Sequence, residues 1–308
     1  MIRINEISKQ FGDFKALNQL SLHIKKGEFY SLLGPNGAGK TTCINIISNI
    51  MKASSGDVEI AGFNSNQQHQ EIKKAIGVIP QEIALYEDLS AFENLKFWGK
   101  INQVKSNILN DKIKEILKFL DLFDHRNQNI NSFSGGMKRR INIAAALLHD
   151  PEILFMDEPT VGIDPQSRIF TYEIFEKLHQ QGKTIFYTSH NMEEVERLSD
   201  RIGIIDHGQL IAEGSQQDLK NQLKMEETIV ISFEEQIDEA ILAKSIFLSN
   251  SYYFSHQKLY VSSKNANEDL VALLQSFSNT KIKVKHIEIQ KVNLEMIFLK
   301  LTGNKLRD

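Results

Sequence analysis

The segment Gly34 to Thr41 reads Gly-Pro-Asn-Gly-Ala-Gly-Lys-Thr and constrains the fold more than any other part of the chain. The apolar run Phe29–Leu33 before it predicts a buried strand, and the stretch Lys40–Ile50 after it predicts a helix. Glycines at such a junction let successive backbone N–H groups close around a phosphate, and the helix N-terminus favours an anion. A strand, a glycine turn and a helix in this order are typical of a nucleotide phosphate loop.

Composition excludes several other classes of protein. The chain has 308 residues, enough for about two domains, and 41% of them are hydrophobic. The 36 Lys and Arg residues are outnumbered by 39 Asp and Glu residues, which leaves a net charge of −3. A nucleic-acid footprint usually carries a basic excess, so we expect no nucleic-acid partner.

The sequence also bears on location. Cys43 is the single cysteine, so no internal disulfide can form, and Met1 to Asn5 do not resemble the start of a secretory leader. A membrane-spanning helix needs about 20 mostly apolar residues, and the best candidate, Ile141–Leu148, is far shorter. We therefore expect an intracellular protein that does not cross a membrane itself.

The pattern of apolar runs predicts a domain of α/β class over residues 1–225. Short runs such as Glu152–Met156 and Thr184–Thr188 alternate with amphipathic stretches, as in a mostly parallel sheet covered by helices. Residues 201–215 have the pattern of a hairpin. Residues 82–150 lack convincing strands, and we expect a helical subdomain there. Its helices are predicted at Ser90–Lys100, Ser106–Leu120 and Lys138–His149.

A second, smaller α+β domain is predicted over residues 226–308, after a polar run that separates it from the first. The order of its elements, β-α-β-β-α-β followed by a last helix, is that of the ferredoxin-like arrangement. The predicted elements are Thr228–Phe233, Gln236–Phe247, Tyr252–Phe254, Lys258–Ser262, Asn267–Phe277, Lys281–Ile289 and Asn293–Leu301, with Gly303 as the final cap.

The phosphate loop assigns chemistry to individual residues. In loops of this type the lysine reaches the β- and γ-phosphates, and the hydroxyl residue after it ligates Mg²⁺. Lys40 and Thr41 occupy those positions. A glycine turn without a ligand is the alternative, and the strand-loop-helix context disfavours it. The residues predicted to bind the nucleotide phosphates are Gly34, Pro35, Asn36, Gly37, Ala38, Gly39, Lys40, Thr41 and Thr42.

Two acids follow a second apolar strand. Asp157 stands at its end and can hold Mg²⁺ through water, as the second acidic element of phosphate-loop enzymes does. Glu158 would then face the γ-phosphate and orient or deprotonate the attacking water. An apolar strand followed by Asp-Glu is common, and alone it usually marks only a solvated strand end.

A third segment places small residues before a helix. Ser134, Gly135 and Gly136 precede the helix predicted from Lys138, which makes another helix N-terminus suited to an anion. A serine-capped helix with a flexible entry is the alternative. The segment lies about twenty residues before the acidic strand, in a chain that already has a phosphate site.

These segments, in this order, resemble the ATP-binding subunits of ABC transporters across nearly all of residues 1–225. The resemblance implies that the Ser134 turn binds the γ-phosphate of ATP held by a second subunit. Two chains, expected to be identical, would then enclose two ATP molecules head to tail. The turn departs from the family pattern by having Phe133 and Met137 in place of Leu and Gln. Ser134 and its two glycines still supply the phosphate donors.

The resemblance also implies roles for residues outside these segments. Phe11 would stack on the adenine, Gln81 would lie near Mg²⁺ and the attacking water, and His190 would contact the γ-phosphate. Each has an ordinary alternative, namely a core ring, a surface amide and a helix cap. The expected catalytic residues are Lys40, Gln81, Glu158 and His190, and the expected metal ligands are Thr41, Gln81 and Asp157.

Three segments outside the shared motifs are similar in sequence to those of the daunorubicin-type antibiotic-resistance and sodium-extrusion exporter ATPases. They are residues 81–89, 158–165 and the tail 301–308. The resemblance implies a cytoplasmic ATPase on the inner face of the cell membrane, bound to an integral-membrane subunit through residues 82–89. It would power export of drugs, antibiotics or related compounds. The alternatives are a soluble ABC-type ATPase acting on ribosomes or DNA, and a regulatory module without transport.

Two runs of charged residues are interpreted as solvent-facing helix surface. The first is the basic trio Lys138-Arg139-Arg140, and the second comprises Glu193, Glu194 and Glu196. Charged side chains in such runs are seldom fully buried unless they are paired.

Overall fold

The computed structural model describes residues 1–234, 251–278 and 282–302. Contacts between Cα atoms divide the chain into two compact units, one built mainly on Met1–Gln216 and the other on Gln217–Lys300. The expected helix at 236–247 and the Gly303 cap lie outside the described residues, as does most of the C-terminal segment 301–308.

A six-stranded sheet forms the centre of the first unit, with the order β10-β9-β3-β8-β7-β6. The pairs β3–β8, β3–β9, β7–β8 and β6–β7 are parallel, and only the hairpin β9–β10 is antiparallel. The predicted α/β class with a mostly parallel sheet is therefore confirmed. The strands are β3 Phe29–Leu33, β6 Ile76–Ile79, β7 Ile153–Asp157, β8 Thr184–Ser189, β9 Arg201–Asp206 and β10 Gln209–Gly214.

A second, four-stranded sheet covers one side of this unit, with the order β2-β1-β4-β5, and the sequence patterns did not predict it. All of its pairs are antiparallel. Register shifts interrupt the pairing of β1 with β2. These shifts break the regular alternation of buried and exposed residues on which strand prediction depends. The strands are β1 Ile2–Phe11, β2 Phe14–Ile24, β4 Ser55–Ile60 and β5 Phe63–Asn64.

The parallel sheet is buried on both faces. On β7, Leu154 and Met156 belong to the core shared with the helical subdomain. Ile153 and Phe155 point to the other face and belong to the core shared with β1, β2 and α1. Burial on two sides explains why this strand reads as a continuous apolar run.

The helical subdomain predicted over residues 82–150 is present, and the described residues contain no strand there. Ser90 caps its first helix, accepting a hydrogen bond from the Glu93 backbone N–H at 3.2 Å. The third helix begins at Gly135, three residues earlier than predicted, because Ser134 is its N-cap. The helices of the first unit are α1 Lys40–Ile47, α2 His69–Ala75, α3 Ala91–Ile101, α4 Ser106–Phe119, α5 Gly135–Leu147, α6 Pro165–Gln180 and α7 Met192–Leu198, and α8 Gln216–Gln222 follows where the two units meet in sequence.

The second unit contains a four-stranded antiparallel sheet with the order β12-β13-β11-β14. Its core includes Ile229, Ile231, Leu259, Val261 and Phe277. The ferredoxin-like arrangement stays a prediction, since one of its two helices falls outside the described residues. The elements are β11 Glu227–Phe233, β12 Tyr252–Ser255, β13 Lys258–Ser263, α9 Ala266–Ser278, β14 Val284–Gln290 and α10 Leu294–Thr302.

Within the described ranges, no helix combines the length and the apolar character that crossing a bilayer requires.

Candidate functional site

A cleft opens at the carboxyl ends of the parallel strands, where the loops after β3, β6 and β7 meet. Ligands of open α/β sheets bind at this edge because the loops after neighbouring parallel strands converge there. Residues from β2 and from the start of α1 complete the wall. The residues that line the cleft are Phe14, Ala16, Asn36, Gly37, Gly39, Lys40, Thr41, Thr42, Gln81 and Glu158.

The loop between β3 and α1 is held tightly against neighbouring backbone. Gly39 has a φ of 106°, and a Cβ there would lie 2.6 Å from the carbonyl oxygen of Ala16. No side chain caps α1, so capping groups do not occupy the N-terminus that faces the cleft. Gly208, in the turn of the β9–β10 hairpin, donates its backbone N–H to the Ala38 carbonyl at 3.0 Å. The hairpin therefore supports the loop.

Lys40 is the buried cation of the cleft, with only 4% of its surface exposed. Its Nζ donates to the backbone carbonyls of Gly34 at 2.8 Å and Pro35 at 3.0 Å. The same atom lies 3.0 Å from Oε1 of Glu158. Two carbonyls and one carboxylate thus surround the ammonium group.

Glu158 connects this lysine with His190, the residue that directly follows β8. Its Oε2 lies 2.9 Å from Nδ1 of His190, and its side chain is buried. The residue has a φ of 42°, in the left-handed region that non-glycine residues seldom adopt. Its backbone N–H donates to the Thr188 carbonyl at 3.1 Å, which holds this conformation. Strained residues of this kind cluster at functional sites.

Asp157 is also buried, one residue before Glu158. The Thr188 hydroxyl donates to its Oδ1 at 2.6 Å and fixes the orientation of the carboxylate. Sequence analysis gave Thr188 no role, because a hydroxyl residue in a buried strand does not by itself indicate a functional contact. Thr41 and Gln81 line the cleft, so carboxylate, hydroxyl and amide oxygens are available from these segments. Such hard oxygen donors suit Mg²⁺.

Gln81 lies on the exposed loop after β6, and the backbone of this loop is held by an arginine from α5. Arg139 donates to the carbonyls of Pro80 at 2.7 Å and Gln81 at 2.6 Å. Only 3% of its surface is exposed, so the expectation that the whole basic trio faces solvent is wrong for this residue. Burial lowers the pKa of the Arg139 guanidinium.

The Ser134 turn is outside this cleft. Ser134 is exposed, and its hydroxyl accepts the Met137 backbone N–H at 3.2 Å. Gly136 packs so closely on Ser167 that a side chain at this position would overlap it. The Ser167 hydroxyl hydrogen-bonds to Asp164, and the Ser167 backbone N–H donates to the same carboxylate at 2.9 Å; these bonds lower the pKa of the exposed Asp164 carboxyl. The turn is thus fixed to the start of α6.

Sequence comparison identifies the family of this site. The ABC transporter family model matches residues 17–161, which contain the phosphate loop, the Ser134 turn and the acidic strand end. The chain is 42% identical to the linearmycin resistance ATP-binding protein of Bacillus subtilis (strain 168), over the full length of both proteins.

The chain belongs to the ABC transporter ATP-binding proteins.

Further relatives agree with this assignment. The chain is 33% identical to the Nod factor export ATP-binding protein I of Cupriavidus pinatubonensis, covering all of this chain and 92% of the relative. It is 30% identical to a daunorubicin resistance ATP-binding protein of Streptomyces coeruleorubidus, covering 99% of this chain and 97% of the relative. The resemblance stated from the motifs, including the antibiotic-resistance type, is confirmed.

Solved structures show the same fold. A dimeric ATP-binding cassette in a post-hydrolysis state, bound to ADP and Pi, superposes with a TM-score of 0.64 at 29% identity. The match covers 70% of this chain and 98% of that one. This ABC protein is therefore an ATPase with the phosphate-loop fold of the family, as the motifs predicted.

The structure places the expected site residues of this ABC protein in three groups. The first group lines the cleft and consists of Asn36, Gly37, Gly39, Lys40, Thr41, Thr42, Gln81 and Glu158. A second group lies just behind the lining residues. The carbonyls of Gly34 and Pro35 accept from Lys40, His190 contacts Glu158, and Asp157 accepts from Thr188. Ala38 accepts a hydrogen bond from the supporting hairpin. Phe11, Ser134, Gly135 and Gly136 are not among the lining residues.

The two rings at the β1–β2 turn differ in position. Phe11 and Phe14 pair across the hairpin, and both are exposed. Phe14 lines the cleft, whereas the ring of Phe11 lies 5.2 Å from the ammonium nitrogen of Lys9. Sequence analysis singled out Phe11 and did not consider Phe14, because the family resemblance points to the ring before Gly12.

Proposed function

We propose that this chain is the ATP-hydrolysing subunit of a membrane exporter and that it works on the inner face of the cell membrane. The observation that carries the catalytic part is the contact of Glu158 with Lys40 at 3.0 Å and with His190 at 2.9 Å. The export part is supported by full-length relatives whose names refer to antibiotic resistance and to Nod factor export.

The proposed roles in hydrolysis follow from charge and position. Lys40 exchanges its bonds with the Gly34 and Pro35 carbonyls for the negative oxygens of the β- and γ-phosphates. Glu158, released from the lysine, orients the attacking water and accepts its proton. His190 holds the second oxygen of that carboxylate and contacts the γ-phosphate. The remaining residues of the phosphate loop bind through backbone N–H groups, and Phe11 stacks on the adenine.

The oxygen donors near the phosphate loop fit a magnesium ion. Thr41 and Gln81 would ligate it directly, and Asp157, fixed by Thr188, would hold it through water. When bound there, Mg²⁺ neutralises charge on the β- and γ-phosphate oxygens.

A second copy of the chain completes the site in this proposal. Ser134 and Gly135 are exposed, and neither they nor the buried Gly136 line the cleft. A helix N-terminus with an exposed hydroxyl suits the γ-phosphate of ATP held by the other copy. The dimeric cassette among the similar solved structures supports this assembly. ATP then closes the dimer, and hydrolysis reopens it.

An integral-membrane subunit receives the motion. The segment 82–89 is the proposed contact, because Arg139 and Lys138 link it to α5, the helix that begins at the Ser134 turn. Arg139 bonds to the backbone of Gln81, the residue just before the segment, and Nζ of Lys138 lies 2.6 Å from Oε1 of Glu87 within it. Movement of the turn on ATP binding would therefore be passed to the surface that meets the partner.

Co-purification tests the proposal. The full chain, tagged and expressed in its natural host, is isolated from detergent-solubilised membranes, and its partners are identified by mass spectrometry. We expect an integral-membrane protein in comparable amount, crosslinked to residues 82–89. Recovery with ribosomes or DNA, and with no membrane protein, would overturn the transport assignment in favour of a soluble ABC-type ATPase.

A further inference from the structure

Glu194 is a buried carboxylate that the assigned roles leave unexplained. The residue lies in the first turn of α7, and only 3% of its surface is exposed. Its charged neighbour Glu193 is exposed, as expected for both. The expectation of a solvated face is therefore wrong for Glu194, and so large a departure calls for a physical reason.

Hydroxyl groups from the loop after β7 and from strand β8 surround this carboxylate. Oε1 accepts from the Thr160 hydroxyl at 2.8 Å. Oε2 accepts from the Tyr187 hydroxyl at 2.6 Å and from the Ser189 hydroxyl at 3.1 Å. Tyr172, on α6, lies close enough to Glu194 for burial and the carboxylate together to raise the pKa of its phenol. The two carboxylate oxygens together accept three hydroxyl hydrogen bonds, the kind of bond a carboxylate accepts well.

Protonation of the phenols supports this arrangement. Burial and the adjacent Glu194 raise the pKa of Tyr187 well above its ordinary value. The same two causes raise the pKa of Tyr172. Tyr187 therefore keeps the proton that it donates to Glu194, and a buried polar cluster with its bonds complete has one well-defined geometry.

Two of these donors adjoin the proposed catalytic pair. Thr160 lies two residues after Glu158, in the loop that follows β7, and Ser189, the last residue of β8, immediately precedes His190. The Ser189 hydroxyl also accepts the Asn191 backbone N–H at 2.9 Å. Glu194 thus ties together the two loops across which Glu158 and His190 meet at 2.9 Å.

We propose that Glu194 is a positioning residue for hydrolysis, which holds His190 against Glu158 by joining the loop after β7 to the loop after β8. It is not among the residues that line the cleft, so it acts through His190. This inference rests on the proposed role of His190 in hydrolysis.

A matched pair of substitutions provides the first test. Glu194→Gln keeps the size of the side chain but turns one acceptor into a donor, so at least one hydroxyl bond is lost or reversed. Glu193→Gln makes the same chemical change at the exposed neighbour. We expect Glu194→Gln to lower kcat by about fivefold or more with KM for ATP changed less than about twofold, because the contact matters during the chemical step. Glu193→Gln should change neither constant by more than about twofold.

A double-mutant cycle with His190→Ala separates positioning from a general loss of structure. If Glu194 acts through His190, Glu194→Gln should slow the wild-type chain but leave the His190→Ala chain almost unaffected. Equal fold-losses in both backgrounds would overturn the inference while leaving the role of His190 intact. An unchanged rate for His190→Ala alone would overturn that role and, with it, this inference.

An alternative substitution keeps the test decisive if Glu194→Gln does not fold. Thr160→Val replaces the Oε1 donor by a methyl group of the same shape. It should show the same loss in kcat and the same dependence on His190. A thermal melt of every variant provides the check on folding. A Thr160→Val chain that folds and turns over at the wild-type rate would contradict the inference.

Discussion

The N-termini of α1 and α5 are both preceded by glycines or small residues, yet they differ in capping and in burial. No side chain caps α1, and the residue at its start, Lys40, is buried against a carboxylate and two carbonyls. Helix α5 is capped by its own Ser134, which is exposed. The first helix end carries the lysine and meets the acid, so it can both bind and react. The second can only bind.

In the proposed mechanism, one chain carries two unequal halves of a site. The cleft lined by the phosphate loop would hold the groups that neutralise charge and activate water. The Ser134 turn offers a helix N-terminus with a hydroxyl but no acid or base from its own segment. Two copies arranged head to tail would combine one half of each kind.

The largest expected effect comes from the reactive half. Glu158→Gln should lower kcat for ATP by about 100- to 10,000-fold, because the amide cannot accept the proton of the attacking water. ATP binding should remain, and the variant should accumulate as an ATP-dependent dimer in gel filtration. Glu152→Gln, at an exposed acid paired with Lys26, is the matched control. A Glu158→Gln chain that hydrolyses ATP normally would remove the contrast between the two helix ends.

Lys40→Ala should have the next largest effect. Loss of the buried ammonium removes the charge that faces the β- and γ-phosphates, and we expect kcat/KM to fall by about 100- to 1,000-fold. Steady-state hydrolysis and ATP-binding measurements check this. Lys26→Ala, at an exposed lysine, should change the rate by less than about twofold. Unchanged turnover in Lys40→Ala would contradict the assignment of the phosphate loop.

A mixture of two inactive chains tests whether the two helix ends act together in one dimer. Ser134→Arg should block the turn and lower the rate by roughly 100-fold, about the loss expected for an oxyanion donor. A mixture with Lys40→Ala should recover activity, since mixed dimers contain one site with both an intact lysine and an intact serine. Hydrolysis is measured against the mixing ratio. A mixture no faster than its parents would mean that the two halves do not meet across a dimer.

We expect the smallest of these effects at Arg139, which links the loop after β6 to α5, the helix that begins at the Ser134 turn. Arg139→Gln removes the charged donor to the Pro80 and Gln81 carbonyls, and we expect kcat to fall by about tenfold. Arg139→Lys should restore part of the rate. Arg126→Gln is the matched control, because that arginine also donates to a carbonyl, that of Phe123, within the helical subdomain. Equal losses in Arg139→Gln and Arg126→Gln would indicate a stability effect only.

The phosphate loop and the acidic strand end could be predicted from the sequence because their chemistry is local. Gly39 must adopt a φ of 106° beside Lys40, and Asp157 and Glu158 directly follow an apolar strand. Spacing within a few residues fixes such positions, and the strand-loop-helix order reveals them. The order of apolar runs likewise predicted the parallel sheet and the helical subdomain.

The antiparallel sheet of β1, β2, β4 and β5 was not predicted, for a physical reason. Its strands pair across long separations, as Ile2 does with Ile60, and shifts in register hide the alternation of burial. Pairing of this kind depends on which segments meet, and a single sequence carries little information about that.

The amino-acid sequence was enough to predict which groups the chain would bring to a nucleotide: the glycine loop, Lys40, the acidic pair and the Ser134 turn. Which charged residues are buried could be seen only in the folded chain. Arg139 and Glu194 stand in charged helical runs that read as surface. Residues remote in sequence supply hydrogen bonds to both: Pro80 and Gln81 to Arg139, and Thr160 to Glu194, whose other partners are the nearer Tyr187 and Ser189. The burial of a charge depends on partners that only the folded chain assembles.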